Sequence, residues 1–350
     1  MTNVTRLIDS FYANMNMEII SFVKTFSLIE QRMARLSPLD EQRLLVKVSK
    51  MYYEEGLAQD DIILRLNLSR SKISRLLQQA RDEGIVQITV TTPRHMFSDL
   101  ENHLEKQYGL YEAIVVETHS HDSRENIIHE LGVAAAGYLE RSVEATTTIG
   151  ISWGSTLRSM VAALPFKRLP KTKVVQIIGG LGQPEAEVHA TDLCYRLARA
   201  LGSQLTLLPV PGIVATQKAR NVLLSDLYVK QAIEMFNQLD MAFVGIGAPA
   251  ADSVLIRDGS ILSSAELGSL LQNSAVGDIA LRFFDAQGQL VQSEIDLRVI
   301  GITFEQLKRI RRVVGIAGGS EKFQAILGAL HGKLINVLIT DSKNAEKLLQ

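Results

Sequence analysis

Several glycine-rich turns in the C-terminal part of the chain have residue types suited to holding an anion. "GISWGSTLRSM" places Gly154, Ser155 and Thr156 between an apolar run and a helical stretch. Backbone amides at such a helix start, with two hydroxyls beside them, suit a phosphate. "IIGGLGQ" offers Gly179 and Gly180 at a similar turn, and "VGIGAPA" is a third. "GIAGGSEKFQAI" is the fourth, and it adds Lys322 in the first helical turn after Gly318 and Gly319. A lysine so placed can meet a phosphate as a point charge. Asp278, in "AVGDIA", directly precedes an apolar run and could bond sugar hydroxyls. Each turn alone is a weak signal. Glycines at strand-to-helix turns more often serve only the turn, and a lone lysine is more often solvated. None of the four has the GxxxxGKS/T or GxGxxG spacing. Together they carry more, because strand ends in one sheet can converge on a common site.

Other chemistry finds little support. The seven histidines show no metal-ligand spacing; His119 and His121 sit in a polar loop, and His189 starts a helix. No Ser-His-Asp set and no paired carboxylates are defensible, so no catalytic residue, metal ligand or cofactor site is assigned. Trp153 reads as a core side chain. Cys194 is the only cysteine, which excludes an intramolecular disulfide and a cysteine-held zinc.

A second chemistry lies near the N-terminus. From Leu68 to Arg81 the basic residues are Arg70, Lys72, Arg75 and Arg81, with no acid among them. Ser69 stands where a helix N-cap is wanted. Arg70 and Ser71 precede Ser74 and Arg75 by one turn, so they share a face. Arginine can bond guanine bidentately, while serine and lysine suit phosphates and either base class. Ser69, Arg70, Ser71, Lys72, Ser74 and Arg75 are therefore the candidate DNA contacts. Basic helical hairpins also occur in proteins that bind no DNA, and Asp60, Asp61, Asp82 and Glu83 leave this module nearly neutral.

Two kinds of element must position these groups. "LDEQRLLVKVSKMYYEE" and "QDDIILRL" have apolar residues at helical spacing, and Gly56 and Gly84 are stop signals. A short turn at Asn67 and Leu68 then leads into "RSKISRLLQQARDEG", which makes a helix-turn-helix whose second helix would enter the major groove. "IVQITV" alternates like a short strand or wing. "TTPRH" reads as a hinge, and "FSDLENHLEKQYG" as a short amphipathic linker or oligomerisation helix. Beyond it the apolar runs "EAIVVE", "TTTIGIS", "KVVQIIGG", "SQLTLLPV", "MAFVGIG", "IALRFF", "VVGIAGG" and "INVLITD" alternate with helical stretches. Such runs indicate a largely parallel sheet covered on both faces. "ALRFFDAQGQLVQSEIDLR" reads as an antiparallel excursion with "DAQGQ" as its turn.

The expected class is α/β: an N-terminal helix-turn-helix domain followed by a Rossmann-like effector domain. The expected boundaries are a helical extension at 1–38, the DNA-binding domain at 39–92, a linker helix at 93–110 and the effector domain at 111–350. With 350 residues, 46% hydrophobic and 21% charged, the chain can bury a sizeable core. A net charge of −1 means that nucleic-acid binding rests on a local patch. There is no bilayer-length apolar run and no signal-peptide block, so a cytoplasmic protein without a membrane partner is expected.

With both halves read, the chain from about residue 40 to 350 resembles the SorC-type family of bacterial sugar-responsive transcription regulators. "YYEEGLAQDDIILRLNLSRSKISRLLQQARDEGIVQI" looks like the family's reader. "IGISWGSTL", "IIGGLG", "VGIGA", "AVGDIALRFFDAQG" and "GIAGGSEKFQAILGALHGKLINVLITD" look like its effector domain. The resemblance implies a winged-type helix-turn-helix joined to a domain similar to sugar-phosphate isomerases but used for sensing. It also implies a homo-oligomer, commonly a tetramer, on a double-stranded DNA operator. By this resemblance Gly154, Ser155 and Thr156 match the phosphate loop, and Gly179 and Gly180 a second glycine loop. Asp278 matches an acidic position near the sugar, Lys322 the lysine of the last glycine motif, and Arg257 in "VLIRDG" a phosphate-contacting arginine. The extra N-terminal residues, Leu157-Arg158 after the first loop and "GQPEAEVHATDL" after the second depart from the pattern, so the sugar is not named. Two other readings stay open. One is a sugar-phosphate isomerase or deaminase with a helical appendage. The other is an assembly protein whose hairpin binds another protein.

Overall fold

Leu45, Val48 and Met51 fall on one side of helix α1 (Pro38–Ser49) and of the π-helical turn that continues it (Lys50–Glu54). They close over Ile62 of α2 (Gln59–Leu66) and over Ile73, Leu76, Leu77 and Ala80 of α3 (Arg70–Asp82). Burying each of the larger side chains stabilises this small core by about 1.5–3 kcal/mol. Asn67 takes the left-handed conformation that ends α2, and the Ser69 hydroxyl accepts from the Lys72 amide to start α3. The result is a helix-turn-helix. Ile85 to Ile88, expected to begin a wing, form no strand, because no described segment pairs with them. In this computed structural model the described residues are 38–88, 97–119, 122–180, 190–249 and 261–350. The expected helix at 1–38 and the hinge "TTPRH" therefore lie outside them, apart from Pro38.

The chain divides into two compact units at residues 91 and 92. The second is built on a parallel seven-stranded sheet. Its strands are β1 (Glu112–Val116), β2 (Thr148–Ile151), β3 (Lys173–Gln176), β4 (Gln204–Thr206), β5 (Met241–Gly245), β8 (Arg312–Ile316) and β9 (Val337–Asp341), in the order β1-β9-β8-β5-β2-β3-β4. Alternate residues of each strand feed two apolar layers, as a sheet buried on both faces requires. Ile149, Ile151, Phe243, Val314 and Ile339 pack under α5 (Arg124–Ser142), α6 (Ser155–Ala163) and α7 (Ala190–Leu201). Val175, Ala242, Val244 and Leu338 face the opposite layer. There lie α4 (Ser98–Tyr108), α8 (Gln217–Ser225), α9 (Leu227–Glu234), α10 (Ser264–Gln272), α11 (Phe304–Leu307), α12 (Phe323–His331) and α13 (Ser342–Leu348).

Two local features depart from the sequence reading. The run "IALRFF" is not a strand of the main sheet. Ile279 ends β6 (Gly277–Ile279), Ala280 and Leu281 turn with positive φ, and β7 (Arg282–Phe284) returns antiparallel. The "DAQGQ" turn follows, with Asp285 accepting from the Gln287 and Gln289 amides and Phe284 bridging Leu290. The expected linker helix is also no free connector. Leu104 of α4 is fully buried, and Glu105 and Glu101 accept the outward amides of Ala113 and Val115 at 2.9 Å. Those amides belong to the edge strand β1, which the helix thereby covers. Burial raises the Glu101 carboxyl above its ordinary range.

Candidate ligand site and nucleic-acid interface

The strand order sets where a ligand can sit. From β2 the chain runs outward through β3 and β4, then returns to β5 on the other side of β2 and continues to β8 and β9. The loops after β2 and β5 therefore leave in opposite directions, and a crevice opens between them at the carboxyl ends of the strands. A cavity of about 110 Å³ occupies that position.

The turn after β2 supplies Trp153, Gly154, Ser155, Thr156 and Leu157 to its wall. Gly154 has φ 135° and ψ 161°, a conformation that glycine reaches without strain, and α6 starts directly after it. Arg158 makes the first helical bond, to the Gly154 carbonyl. The amides of Ser155, Thr156 and Leu157 precede it and have no acceptor within the helix. They give this wall a positive partial charge suited to an anion.

The end of β5 brings Gly245, the loop after it Ile246, Gly247 and Ala248, and the loop after β8 Gly318, Glu321 and Lys322. The 3-10 turn Ser320–Lys322 places the half-buried Lys322 before α12. The β6–β7 hairpin adds Asp278 and Ala280. Asp278 is buried, and its carboxylate accepts from the Leu281 amide at 3.2 Å. Burial pushes its carboxyl up to about 6, against the opposing pull of Lys322 and of that amide. A buried acid facing a lysine and a row of helix amides can receive sugar hydroxyls at one end and an anionic group at the other.

The cavity brings together Gly154, Ser155, Thr156, Asp278 and Lys322. It does not bring in Gly179 and Gly180, which are absent from its lining. The Gly179 amide donates to Ile300 and the Gly180 amide to Val210, and a Cβ on Gly179 would lie 2.5 Å from the Val210 carbonyl. Gly179 allows two backbone segments to touch, whereas a Cβ on Gly180 would meet only ordinary contacts. Arg257 lies outside the described residues, as do His121 and His189. Sequence reasoning missed Arg124 at the start of α5, which lines the cavity from about thirty residues upstream of the first loop. It also gave Trp153 to the core, whereas that half-buried ring both packs on the core and lines the cavity.

In the first unit, Arg70, Ser71, Ser74 and Arg75 stand exposed along one side of α3. Arg70 lies 3.8 Å from the Asp60 carboxylate, and Arg75 donates to the Ser71 carbonyl at 3.5 Å. Lys72 turns inward and donates to Glu41 of α1 at 2.7 Å, which lowers the Glu41 carboxyl through that bond and the ammonium charge. Ser69 is engaged as the N-cap. Among the described residues no helix is long and apolar enough to cross a membrane.

Residues 93–350 match the family model described as "Putative sugar-binding domain". The chain is 34% identical to the deoxyribonucleoside regulator of Bacillus subtilis over 310 residues, covering 89% of this chain and 98% of that protein. It is 35% identical to the sorbitol operon regulator of Klebsiella pneumoniae over 322 residues, covering 89% and 99%. The crystal structure of the full-length sorbitol operon regulator SorC from that organism superposes with a TM-score of 0.68, at 33% identity, over 90% of this chain and 100% of that one. A DeoR family transcriptional regulator from Listeria monocytogenes superposes with a TM-score of 0.66 at 32% identity, over 72% of this chain and 98% of that one. The chain belongs to the SorC-type family of transcriptional regulators that carry this sugar-binding domain.

Proposed function

We propose that this protein is a DNA-binding transcriptional regulator whose hold on its operator is set by a sugar phosphate in the cavity between the β2 and β5 loops. The observation that carries the reading is the convergence of the Gly154-Ser155-Thr156 turn, Asp278 and Lys322 on one cavity. The α6 amides and Lys322 receive the phosphate, and Asp278 receives hydroxyls of the sugar. Relatives named for deoxyribonucleosides and for sorbitol support a sugar or polyol skeleton. In the reader, Arg70, Ser71, Ser74 and Arg75 meet the major groove. The ligand acts by its different affinity for two placements of the reader units, and a homo-oligomer, a tetramer in this reading, provides the paired half-sites. Relatives named as regulators support a sensor in the cytoplasm and no enzyme.

The test is a mobility shift on DNA upstream of the protein's own gene and its neighbours, at fixed salt, with and without a panel of sugar phosphates. One compound should reverse or strengthen the shift. Turnover of a sugar phosphate by the purified protein would instead support the isomerase reading.

A further inference from the structure

The glycine loop at the cavity is tied to the last helix of the chain. Gly319 donates its amide to Asp341 at 2.8 Å, and the Gly319 carbonyl accepts from Asn344 Nδ2 at 2.9 Å. Asn344 Nδ2 also donates to Asp341 Oδ2 at 2.7 Å, while the Asn344 amide donates to Asp341 Oδ1 at 3.0 Å. Asp341 and Asn344 are each only 2% exposed. One buried pair thus caps α13 and holds both backbone polar groups of Gly319. The neighbouring Gly318 lines the cavity, and a Cβ there would come within 2.8 Å of Asp341 Oδ2. The loop and the helix start are thus joined by hydrogen bonds at Gly319 and by close packing at Gly318.

The far end of α13 is held as firmly. The Leu348 carbonyl accepts from Tyr108 Oη at 2.7 Å and from Gln107 Nε2 at 3.2 Å. Both donors lie in the last turn of α4. Ala345 and Leu348 are buried in the same apolar layer as Leu104 of α4. A seven-residue helix spans about 10 Å and is stiff over that length. In chain order α4 is the first helix after the segment that joins the two units.

We propose that α13 is a strut that couples occupancy of the cavity to α4, with Asp341 and Asn344 as its sending end and Tyr108 as its receiving residue. The proposal rests on the reading of the cavity as a ligand site. A ligand that engages Lys322 displaces the Gly318–Gly319 loop, the Asp341–Asn344 pair follows Gly319, and the helix carries the displacement to the Leu348 carbonyl. Tyr108 and Gln107 are positioning residues, since neither lines the cavity.

Amide hydrogen exchange on the full-length protein, with and without inorganic phosphate as the probe, tests this. In the unaltered protein phosphate should change exchange at 155–157, at 319–322 and in α4, the last by at least about fivefold. Tyr108→Phe removes one hydroxyl and keeps the ring. It should keep the response at 155–157 and 319–322 and lose most of that in α4. Gln107→Ala, at an exposed position, should lose a smaller part. An unchanged α4 response in both variants overturns the strut. A response at the loops with none in α4 of the unaltered protein overturns the strut and leaves the ligand site standing. No response anywhere removes the ligand site and the strut together.

Discussion

Asp278 and Gly247 exchange two backbone hydrogen bonds, 2.9 Å from the Gly247 amide and 3.1 Å from the Asp278 amide, and the Asp278 carboxylate occupies the space that a Cβ on Gly247 would fill. The bridge fastens the β6–β7 hairpin to the loop after β5, so two segments far apart in sequence make one wall of the cavity. The turn beyond it holds Ala280 and Leu281 at φ 53° and 61°. Left-handed backbone costs a non-glycine residue about 1–2 kcal/mol. That strain is retained where Leu281 must donate to Asp278.

Gly247→Ala should therefore act on the site more than on the fold. The new methyl forces the carboxylate to move, at a cost of about 1–3 kcal/mol for overpacking. Thermal unfolding should show a modest loss of stability, and titration with sugar phosphates should show binding weakened at least tenfold. Unaltered ligand affinity would mean that the Asp278 carboxylate does not contact the ligand.

Lys322→Ala separates the two activities by design. The ammonium lines the cavity in the second unit, and the candidate DNA contacts belong to the first. Operator affinity without ligand should stay within about twofold, while the ligand concentration for half response should rise by a factor of ten or more, as loss of a charge-assisted contact of about 1.5–3 kcal/mol requires. A variant with normal response would exclude Lys322 as a ligand contact.

Much of this site was legible because short-range signals mark it. Glycine before two hydroxyl residues and a helical run marks an anion-ready helix start, and this found Gly154, Ser155 and Thr156. The same signal also marked Gly179 and Gly180, which do not line the cavity; a glycine needed for close backbone approach, as Gly179 is to Val210, looks the same in sequence as one that cradles a ligand. The parallel strands were legible from their apolar runs. The Ala280-Leu281 turn was not, since neither residue favours positive φ and the hydrogen bonds that hold it there are tertiary. Arg124 was invisible for a related reason. Nothing near it in sequence marks it, and only the placement of β1 four strands from β2 sends α5 across the sheet to the cavity.

The reader helix gives a contrast between two basic residues. Arg75 is exposed on α3, whereas Lys72 is half-buried and paired with Glu41. If Arg75 reads a base, Arg75→Ala should cost about 1–3 kcal/mol of operator binding and relax the preference at one base position. A uniform loss across sequences would make it a phosphate contact. Lys72→Ala should weaken DNA binding less than Arg75→Ala and leave the salt dependence nearly unchanged, because its charge is already engaged within the protein. Competition binding at several salt concentrations reads both effects. A larger loss for Lys72→Ala would show that the Glu41 pair opens on DNA.

The buried acid gives the last expectation, and its sign follows from where the proton sits. An unfolded aspartate titrates near about 3.9, and burial lifts folded Asp278 to about 6. Between those values the folded state holds the proton more tightly than the unfolded one. Stability from this group is then fully present below pH 4 and is lost as pH rises through 6, a difference of about 3 kcal/mol at most. Asp278→Asn has no charge to bury and keeps an oxygen to accept from Leu281. Without ligand it should melt higher than the unaltered protein at pH 8, by several degrees at about 2–4 °C per kcal/mol for a domain of this size. At pH 4 the two should melt together. The same variant should bind sugar phosphates more weakly at pH 8, because an amide is a poorer acceptor than a carboxylate for sugar hydroxyls. Melting curves at the two pH values, each with and without ligand, separate the effects. A variant that melts lower at pH 8 and equally at pH 4 would show that the Asp278 carboxylate stabilises the fold in its charged form.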